Sequence, residues 1–439
     1  MTRFTKPSQD TPEPTITSDS SNNPSHDSRH DSRANSSDSG IDALILSRRD
    51  SLQLNHVQAA TAVVSLGAIR RNLAAIKSAN PECEHLAVVK ANAYGHGLHA
   101  IAQALQNHID YLAVARIDEG VALRLQSVNC PIVVLSESIT ARTVELCKRY
   151  QLTPCLFDSS QLEEQLGLVS AHQTDYWLKV NSGMNRLGIS PLQIDALREI
   201  LAQTDSRQPA VVFTHFSDSE IRDNTVTQQQ LEIFEGFCEA LPVSKDCKLS
   251  AANSAATLRG SVATPILQRH TIINRIGISL YGIAFGETAD VWQDTLEPTL
   301  SLYAPVVALQ SVPAGQSVGY NGTWTAERDS VIATLAIGYG DGYPRQAPSG
   351  TPVMFGDERA PLVGNVSMDM IGVDITSLQS RDAIQVGSLA CLWGHSVDNS
   401  GQTCGAELDI TEIADCASYI PYQLLTQISE RVTRIYLSD

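Results

Sequence analysis

Residues 85–106 read HLAVVKANAYGHGLHAIAQALQ, and the change of period inside this stretch decides the fold. Leu86–Val89 is a short continuous apolar run rich in β-branched residues, the pattern of a strand buried on both faces. The run ends at Lys90, and a turn-forming segment with Gly95 and Gly97 leads into a helix near 97–106. The same order recurs along the chain. YLAVAR (111–116) precedes a helix over 117–126, and PIVVL (131–135) precedes one over 140–150. TPCLF (153–157), YWLKV (176–180), AVVFTHF (210–216), CKLSAANS (247–254) and INRIGISLYG (273–282) follow, each before helix-like sequence. About eight such units in about 220 residues predict an α/β chain folded as a (β/α)8 TIM barrel rather than an open doubly wound sheet.

Beyond about Asp294 the texture changes. LSLYAPVVALQSV (300–312), DSVIATLAIGYG (329–340) and APLVGNVSMDMIGVDI (360–375) are strand-like runs broken by Gly, Pro and Asp, which predicts a C-terminal all-β domain. The chain therefore divides into a disordered N-terminal tail (1–56), the barrel (57–294) and the β-domain (295–439). The tail is dominated by Ser, Asp, Asn, Thr and Pro, and it cannot bury enough apolar surface to offset the entropy of ordering.

Lys and Arg number 31 against 48 Asp and Glu, for a formal net charge of -17. That balance favours solubility and disfavours nucleic acid as a partner. The nine cysteines are scattered, with no CxxC pair and no adjoining His cluster. They read as reduced thiols with no metal site. No basic and apolar leader and no apolar run of membrane-spanning length is present, so the expectation is a cytoplasmic protein without a membrane partner.

In a parallel barrel the C-terminal strand ends form the catalytic rim, which is where Lys90 falls. A lysine at the end of an apolar strand is partly desolvated, and this favours the neutral, nucleophilic amine needed for a Schiff base. Position alone equally allows a rim lysine in a salt bridge. The segment VVKANAYGHG resembles the pyridoxal-phosphate attachment segment of the alanine racemase family, in which the lysine carries the cofactor and the tyrosine four residues later binds its phosphate. The resemblance runs from about residue 58 to the end. It implies pyridoxal 5'-phosphate on Lys90, with Tyr94 at the phosphate.

Further matches follow in the family's order. In WLKVNSGMNRLGI (177–189), Arg186 would hold the substrate carboxylate, a task that suits a guanidinium fork. Lys179 matches a lysine that many members carry as a carbamate. His215, in FTHFSDSE (213–220), matches a neighbour of the cofactor, although a hydrogen-bonded core histidine is the plainer reading of the residue alone. Asn253 and Ser254, in SAANSAATL (250–258), stand at a predicted helix start that could hold a phosphate or act as an ordinary cap. The resemblance assigns further phosphate donors to the backbone of Gly277 and Ile278 and to Tyr422 in YIPYQLL (419–425). It places Arg275 against the pyridine nitrogen. An arginine there can only donate, so that nitrogen stays unprotonated and the ring is a weaker electron sink than with an acidic partner.

QSVGYNGTWTAE (316–327) resembles the segment bearing the family's second base, which makes Tyr320 the candidate. Racemisation removes a proton from one face of the α-carbon and returns it to the other, so two bases are the simplest solution. In the family this tyrosine comes from the partner subunit, which implies a homodimer with composite sites. Tyr339 in IGYGDGYPR (337–345) matches an entrance residue. Met368 in GNVSMDMIGVD (364–374) matches a substrate-contacting backbone, and Asp369 its polar neighbour. The chain departs from the pattern at Ser250, where many relatives carry histidine, at Asn185, where glycine or histidine is common, and in the insertion-like SVDNSGQTCGAELD (396–409).

The implied activity is interconversion of L- and D-alanine, supplying D-alanine for peptidoglycan. Three alternatives stay open: a broad-specificity racemase, an amino-acid decarboxylase of similar architecture, and a non-catalytic pyridoxal-phosphate carrier. Arg275 in place of an acidic residue speaks against the decarboxylase. Tyr320 and the β-domain speak against the carrier.

Overall fold

Eight parallel strands form a ring: β1 (Glu84–Val88), β2 (Tyr111–Val114), β3 (Ile132–Val134), β4 (Leu152–Leu156), β5 (Trp177–Lys179), β6 (Val211–Phe213), β7 (Lys248–Ser250) and β8 (Ile273–Ile276). Neighbours pair in chain order, β8 returns to β1 in the register Ile273 to Glu84, and a parallel bridge from Leu249 to Ile272 closes the circle. The computed structural model describes residues 45–47 and 59–438 apart from 204–206, 222–224, 242, 261–266 and 399–400. Most of the tail expected over 1–56 lies outside these residues.

Helices Leu98–Leu105, Ile117–Leu125, Ala141–Arg149, Leu162–Ala171, Ile194–Gln203 and Thr225–Ala240 follow β1 to β6 in turn. After β7 the described residues form the short helix Ser254–Leu258 and a 3-10 turn at Leu267–Arg269. The remaining outer position is filled from the other end of the chain by Leu66–Ala79, which packs on residues 278–281 and on Leu98–Leu105. Ile69, Leu73 and Ile76 give this helix one buried face at helical spacing, and the Ser65 hydroxyl caps it by accepting from the Ala68 N–H at 3.0 Å.

A column of rings fills the barrel. At its N-terminal end Lys248 bridges Glu84 and the Tyr111 hydroxyl at 2.7 and 2.9 Å. Trp177 packs edge-on between Tyr111 and Phe213, each 5.7 Å away between centroids. Such pairs contribute about 0.5–1.5 kcal/mol each beyond area burial. The Phe213 ring then forms a floor, with Arg275 and Lys179 at 5.5 and 5.8 Å from its centroid.

The C-terminal domain is a smaller closed barrel of six antiparallel strands: β9 (Leu300–Val312), β10 (Ser330–Leu335), β11 (Pro352–Phe355), β12 (Glu358–Val363), β13 (Ile371–Asp374) and β14 (Leu389–Val397). Strand β9 serves both sides of the ring, pairing β14 through Leu302–Pro305 and β10 from Val306 onward, with an irregularity between Val306 and Ala308. Within the insertion-like 396–409, Thr403–Leu408 pairs antiparallel with β14. Thr61–Ser65, inside the 57–294 segment read as barrel, pairs with Leu300–Tyr303 and with the C-terminal Thr433–Ser438. Ile45–Ser47 adds one more parallel strand at that edge.

One apolar core runs through both barrels, and their junction shapes the segment after β1. Ala91, Asn92, Ala93 and Tyr94 have φ of 52°, 55°, 51° and 51°, a single left-handed helical turn opened by Lys90. Each non-glycine residue there costs roughly 1–2 kcal/mol, so the surroundings must hold the turn. Gly95 fits because a Cβ would lie 2.0 Å from the Leu425 carbonyl oxygen, and Gly97 because one would lie 1.8 Å from the Tyr436 hydroxyl. Arg434 Nε donates to the Gly95 carbonyl at 2.6 Å. Buried His96 joins the Tyr94 carbonyl at 2.9 Å to the Thr299 hydroxyl at 2.8 Å. Gly95→Ala is therefore expected to lower stability by about 2 kcal/mol or more, from the left-handed φ and the backbone overlap together. Urea unfolding measures this, and a wild-type midpoint would show that the junction does not constrain the turn.

Candidate active site

The C-terminal ends of the large barrel's strands converge on a cavity of about 530 Å³. Lys90 and Tyr94 enter from the left-handed turn after β1, Lys179 from the end of β5 and Arg186 from the loop beyond it. His215 follows β6, Asn253 and Ser254 follow β7, and Arg275, Gly277 and Ile278 come from β8 and its exit. Tyr422 reaches in from the helix Pro421–Gln427. Phe213, Ser219, Glu220, Phe285 and Ile420 also line the cavity and were not marked by the sequence.

The loop carrying Arg186 is shaped by Asn181, whose side-chain oxygen accepts from the backbone N–H groups of Gly183 and Asn185 at 3.2 and 2.9 Å. Asn185 has φ of 56°, a conformation asparagine tolerates better than most residues. The loop returns through Ile189 N–H to Lys179 O at 2.8 Å.

Arg275 is buried and held by acceptors. Its Nη1 donates to the Ser250 carbonyl and hydroxyl oxygens at 3.0 and 2.6 Å, and its Nη2 to the Thr214 and Ala251 carbonyls at 2.6 and 3.2 Å. The Ser250 hydroxyl donates onward to the Ile273 carbonyl at 2.6 Å, so it presents a lone pair to the guanidinium. Burial lowers Arg275 only to about 10, so it is cationic at neutral pH. His215 Nδ1 lies 3.4 Å from Arg275 Nη2. Burial first, then Arg275, Lys179, Arg186 and Lys90, pushes His215 down to about 2, so the ring is neutral. With a donor facing Nδ1, its proton belongs on Nε2.

Lys90 is shifted below the ordinary lysine range by burial and then by Arg186, against the opposing charge of Glu119. Burial, Arg186 and Arg275 bring Lys179 to about 8. In a chain of net charge -17 this cavity thus gathers two lysines and two arginines, a local field that selects an anion. A cradle sits at one end. Gly277 N–H donates to the Ser254 hydroxyl oxygen at 2.8 Å, and a Cβ on Gly277 would lie 3.0 Å from the Tyr94 hydroxyl and 3.5 Å from that of Ser254. Burial holds the Tyr94 phenol well above its usual range and Tyr422 up to about 12, so both stay O–H donors. Asn253 caps the following helix, its side-chain oxygen accepting from Ala256 N–H at 3.2 Å and from the Ser219 hydroxyl at 2.6 Å.

Tyr320, Tyr339, Met368 and Asp369 do not line this cavity. They lie on the small barrel, with Tyr320 70 % exposed and Met368 52 % exposed. The Tyr320 carbonyl accepts from Asn365 Nδ2 at 2.9 Å. Backbone bonds from Tyr339 N–H to Ser367 O (3.0 Å) and Gly340 N–H to Met368 O (2.8 Å) join the two loops. Arg431 fastens them again, with Nη2 on Asp369 at 2.8 Å and Nε on Asp341 at 3.2 Å. Nothing in the sequence distinguishes Arg431 from any other exposed arginine.

A rim lysine, a cavity that gathers four cations and a following β-barrel define a barrel enzyme whose site suits an anionic ligand. Family models for the N- and C-terminal domains of alanine racemase match residues 64–284 and 299–436. The alanine racemase of Yersinia pestis is 37 % identical over 384 residues, covering 87 % of this chain and all of that protein. The biosynthetic alanine racemase of Escherichia coli K12 is 35 % identical, with 87 % and 100 % covered. Among solved structures, the biosynthetic alanine racemase of Pseudomonas aeruginosa superposes with a TM-score of 0.72 at 35 % identity, covering 86 % of this chain and 99 % of that one. The Bartonella henselae enzyme with covalently bound pyridoxal phosphate gives 0.74 at 28 % identity, with 86 % and 99 % covered. The chain belongs to the alanine racemase family.

The buried imidazoles set an acid limit. Burial pushes His96 down to about 4, against 6.5 for a free histidine. As pH falls below 6.5 the unfolded chain takes up a proton there and the folded chain does not, so stability present above that pH is lost toward 4. His96 alone accounts for a loss of about 2 kcal/mol between pH 7.5 and 5. His96→Gln should flatten this slope in urea titrations at the two pH values, and an unaltered slope would show that His96 does not carry it.

Proposed function

We propose that the cavity holds pyridoxal 5'-phosphate, and that Lys90 and the Tyr320 of a second copy of the chain act on opposite faces of the alanine α-carbon. The reaction is that of the family, interconversion of L- and D-alanine, which supplies D-alanine for peptidoglycan. The observation that carries the cofactor reading is the cradle at Gly277, where the Tyr94 and Ser254 hydroxyls lie 3.0 and 3.5 Å from where a Cβ would stand and the backbone N–H donates to Ser254. In this reading Lys90 carries the group covalently, Tyr94, Ser254, Gly277, Ile278 and Tyr422 surround its phosphate, and Arg275 faces its ring nitrogen. Once bound, the group withdraws electrons from the substrate α-carbon and acidifies its C–H.

The chain's own residues do the rest. Arg186 pairs with the substrate carboxylate and fixes which face of the α-carbon meets Lys90. As a free amine beside that face Lys90 would be neutral, a state favoured by burial and by Arg186, and so able to take the proton. Tyr320 takes or gives the proton on the opposite face. Its exposure within its own chain, outside the cavity, is the reason to draw it from a second copy. Arg275, buried and cationic, can only donate, so facing the ring nitrogen it would leave that nitrogen unprotonated and would favour return of the proton to the α-carbon. Lys179, between Arg186 and Arg275, suits carbamylation: its amine nitrogen bonds to the carbon of CO2 with loss of a proton, giving an anion between two cations. We read the compartment as cytoplasmic because all nine cysteines are free.

Two outcomes are expected. Lys90→Ala and Tyr320→Phe should each be nearly inactive alone. Co-assembled, they should regain about a quarter of wild-type activity, because half the dimers are mixed and each mixed dimer has one intact site. Failure to regain activity would contradict the shared site. Separately, wild-type enzyme in 13C-bicarbonate should show a carbamate carbon resonance that Lys179→Ala lacks, and its presence in both would place the carbamate elsewhere.

A further inference from the structure

We infer that Glu119 is a positioning residue for Lys90, its carboxylate tying the left-handed turn after β1 to the end of β2. One oxygen, Oε1, accepts from the Ala91 N–H at 2.7 Å. The other, Oε2, accepts from the N–H groups of Ala115 and Arg116 at 2.8 and 3.1 Å. Ala91 directly follows Lys90 and is the first left-handed residue. The N–H groups of Ala93, Gly95, His96 and Gly97 find carbonyls at Val89, Ala91, Ala93 and Asn92, within or beside the turn. The Ala91 N–H instead goes to Glu119, as the leading N–H of a helical turn has no carbonyl behind it.

The chemistry calls for a carboxylate. Three N–H donors converge on one side chain from two directions, and only a group with two acceptor oxygens and no hydrogen satisfies both sides. Glutamine would satisfy one side and set its NH2 against N–H groups on the other. The negative charge also opposes the effect of Arg186 on the Lys90 amine. Glu119 is at the same time the N3 residue of Ile117–Leu125 and helps cap that helix. A purely capping role would affect stability alone.

The inference rests on Lys90 being the cofactor-bearing base. The test uses the holoenzyme of Glu119→Gln, with Glu119→Asp as the charge-conserving variant. Thr143→Ala serves as control, since it removes a comparable helix cap on the same rim away from Lys90. Glu119→Gln should lower kcat in both directions by about tenfold to a hundredfold with the KM for alanine near wild type, because Arg186 is untouched. It should release pyridoxal 5'-phosphate faster on dialysis, followed by loss of its visible absorbance, and move the rising limb of the pH–kcat profile to lower pH. Glu119→Asp should restore the limb and keep part of the kcat deficit. If Gln fails to fold, Asp with reduced kcat and a wild-type limb still supports the inference. Wild-type kcat, retention and pH profile in either variant would overturn it, as would losses no larger than those of Thr143→Ala. Should Lys90→Ala itself keep the absorbance and the activity, the reading of Lys90 fails first and separately.

Discussion

A left-handed turn of four non-glycine residues is an unfavourable way to leave a strand, and the architecture of this chain is arranged around one. It points Lys90 into the cavity while sending the chain back toward the helix Leu98–Leu105. The restraints come from both sides. On the barrel side Glu119 takes the first N–H of the turn. On the other, the Leu425 carbonyl and the Tyr436 hydroxyl occupy the space a side chain would need at Gly95 and Gly97, and Arg434 holds the Gly95 carbonyl. The C-terminal segment thus acts on its own chain's Lys90 as a backstop, before any second copy is considered.

The same cavity concentrates positive charge in an acidic protein. Arg275 is restrained by backbone carbonyls and by Ser250, so it can neither swing away nor be discharged at neutral pH. Phe213 gives Arg275 and Lys179 an aromatic floor in place of a carboxylate. Among the described residues no ion pair joins either cation to an acid of the cavity wall, although Glu220 also lines it, and four cations against that one carboxylate leave the cavity suited to an anion. His215 stays neutral because it is buried and, after that, because four cations act on it.

Much of this was legible in the sequence because strand ends in a parallel barrel are marked by apolar runs, and Lys90 and His215 sit two positions beyond the last strand residue. His215 reads as a strand-end residue, whereas Lys179 and Arg275, which lie within β5 and β8, come from the family resemblance alone. The left-handed turn was not legible, since only Asn92 and Gly95 among its residues carry a preference for positive φ and Ala-Asn-Ala-Tyr reads as loop or ordinary helix. The strand character of Thr61–Ser65 is plain in TAVVS, but its partner is more than 230 residues away at Leu300–Tyr303, and period-2 patterning carries no pairing information. Glu119 and Arg431 looked like ordinary surface charges because their role depends on which backbone groups the fold brings to them. Phe285 and Ile420 were hidden as apolar residues among many.

The central claim is that the turn delivers Lys90 to one face of the α-carbon only, leaving the other to Tyr320. Solvent-deuterium incorporation into L- and D-alanine by Tyr320→Phe tests this directly. The account predicts that one enantiomer still exchanges its α-proton without inversion, while exchange from the other collapses along with racemisation. Equal exchange from both enantiomers, retained or lost together, would contradict it.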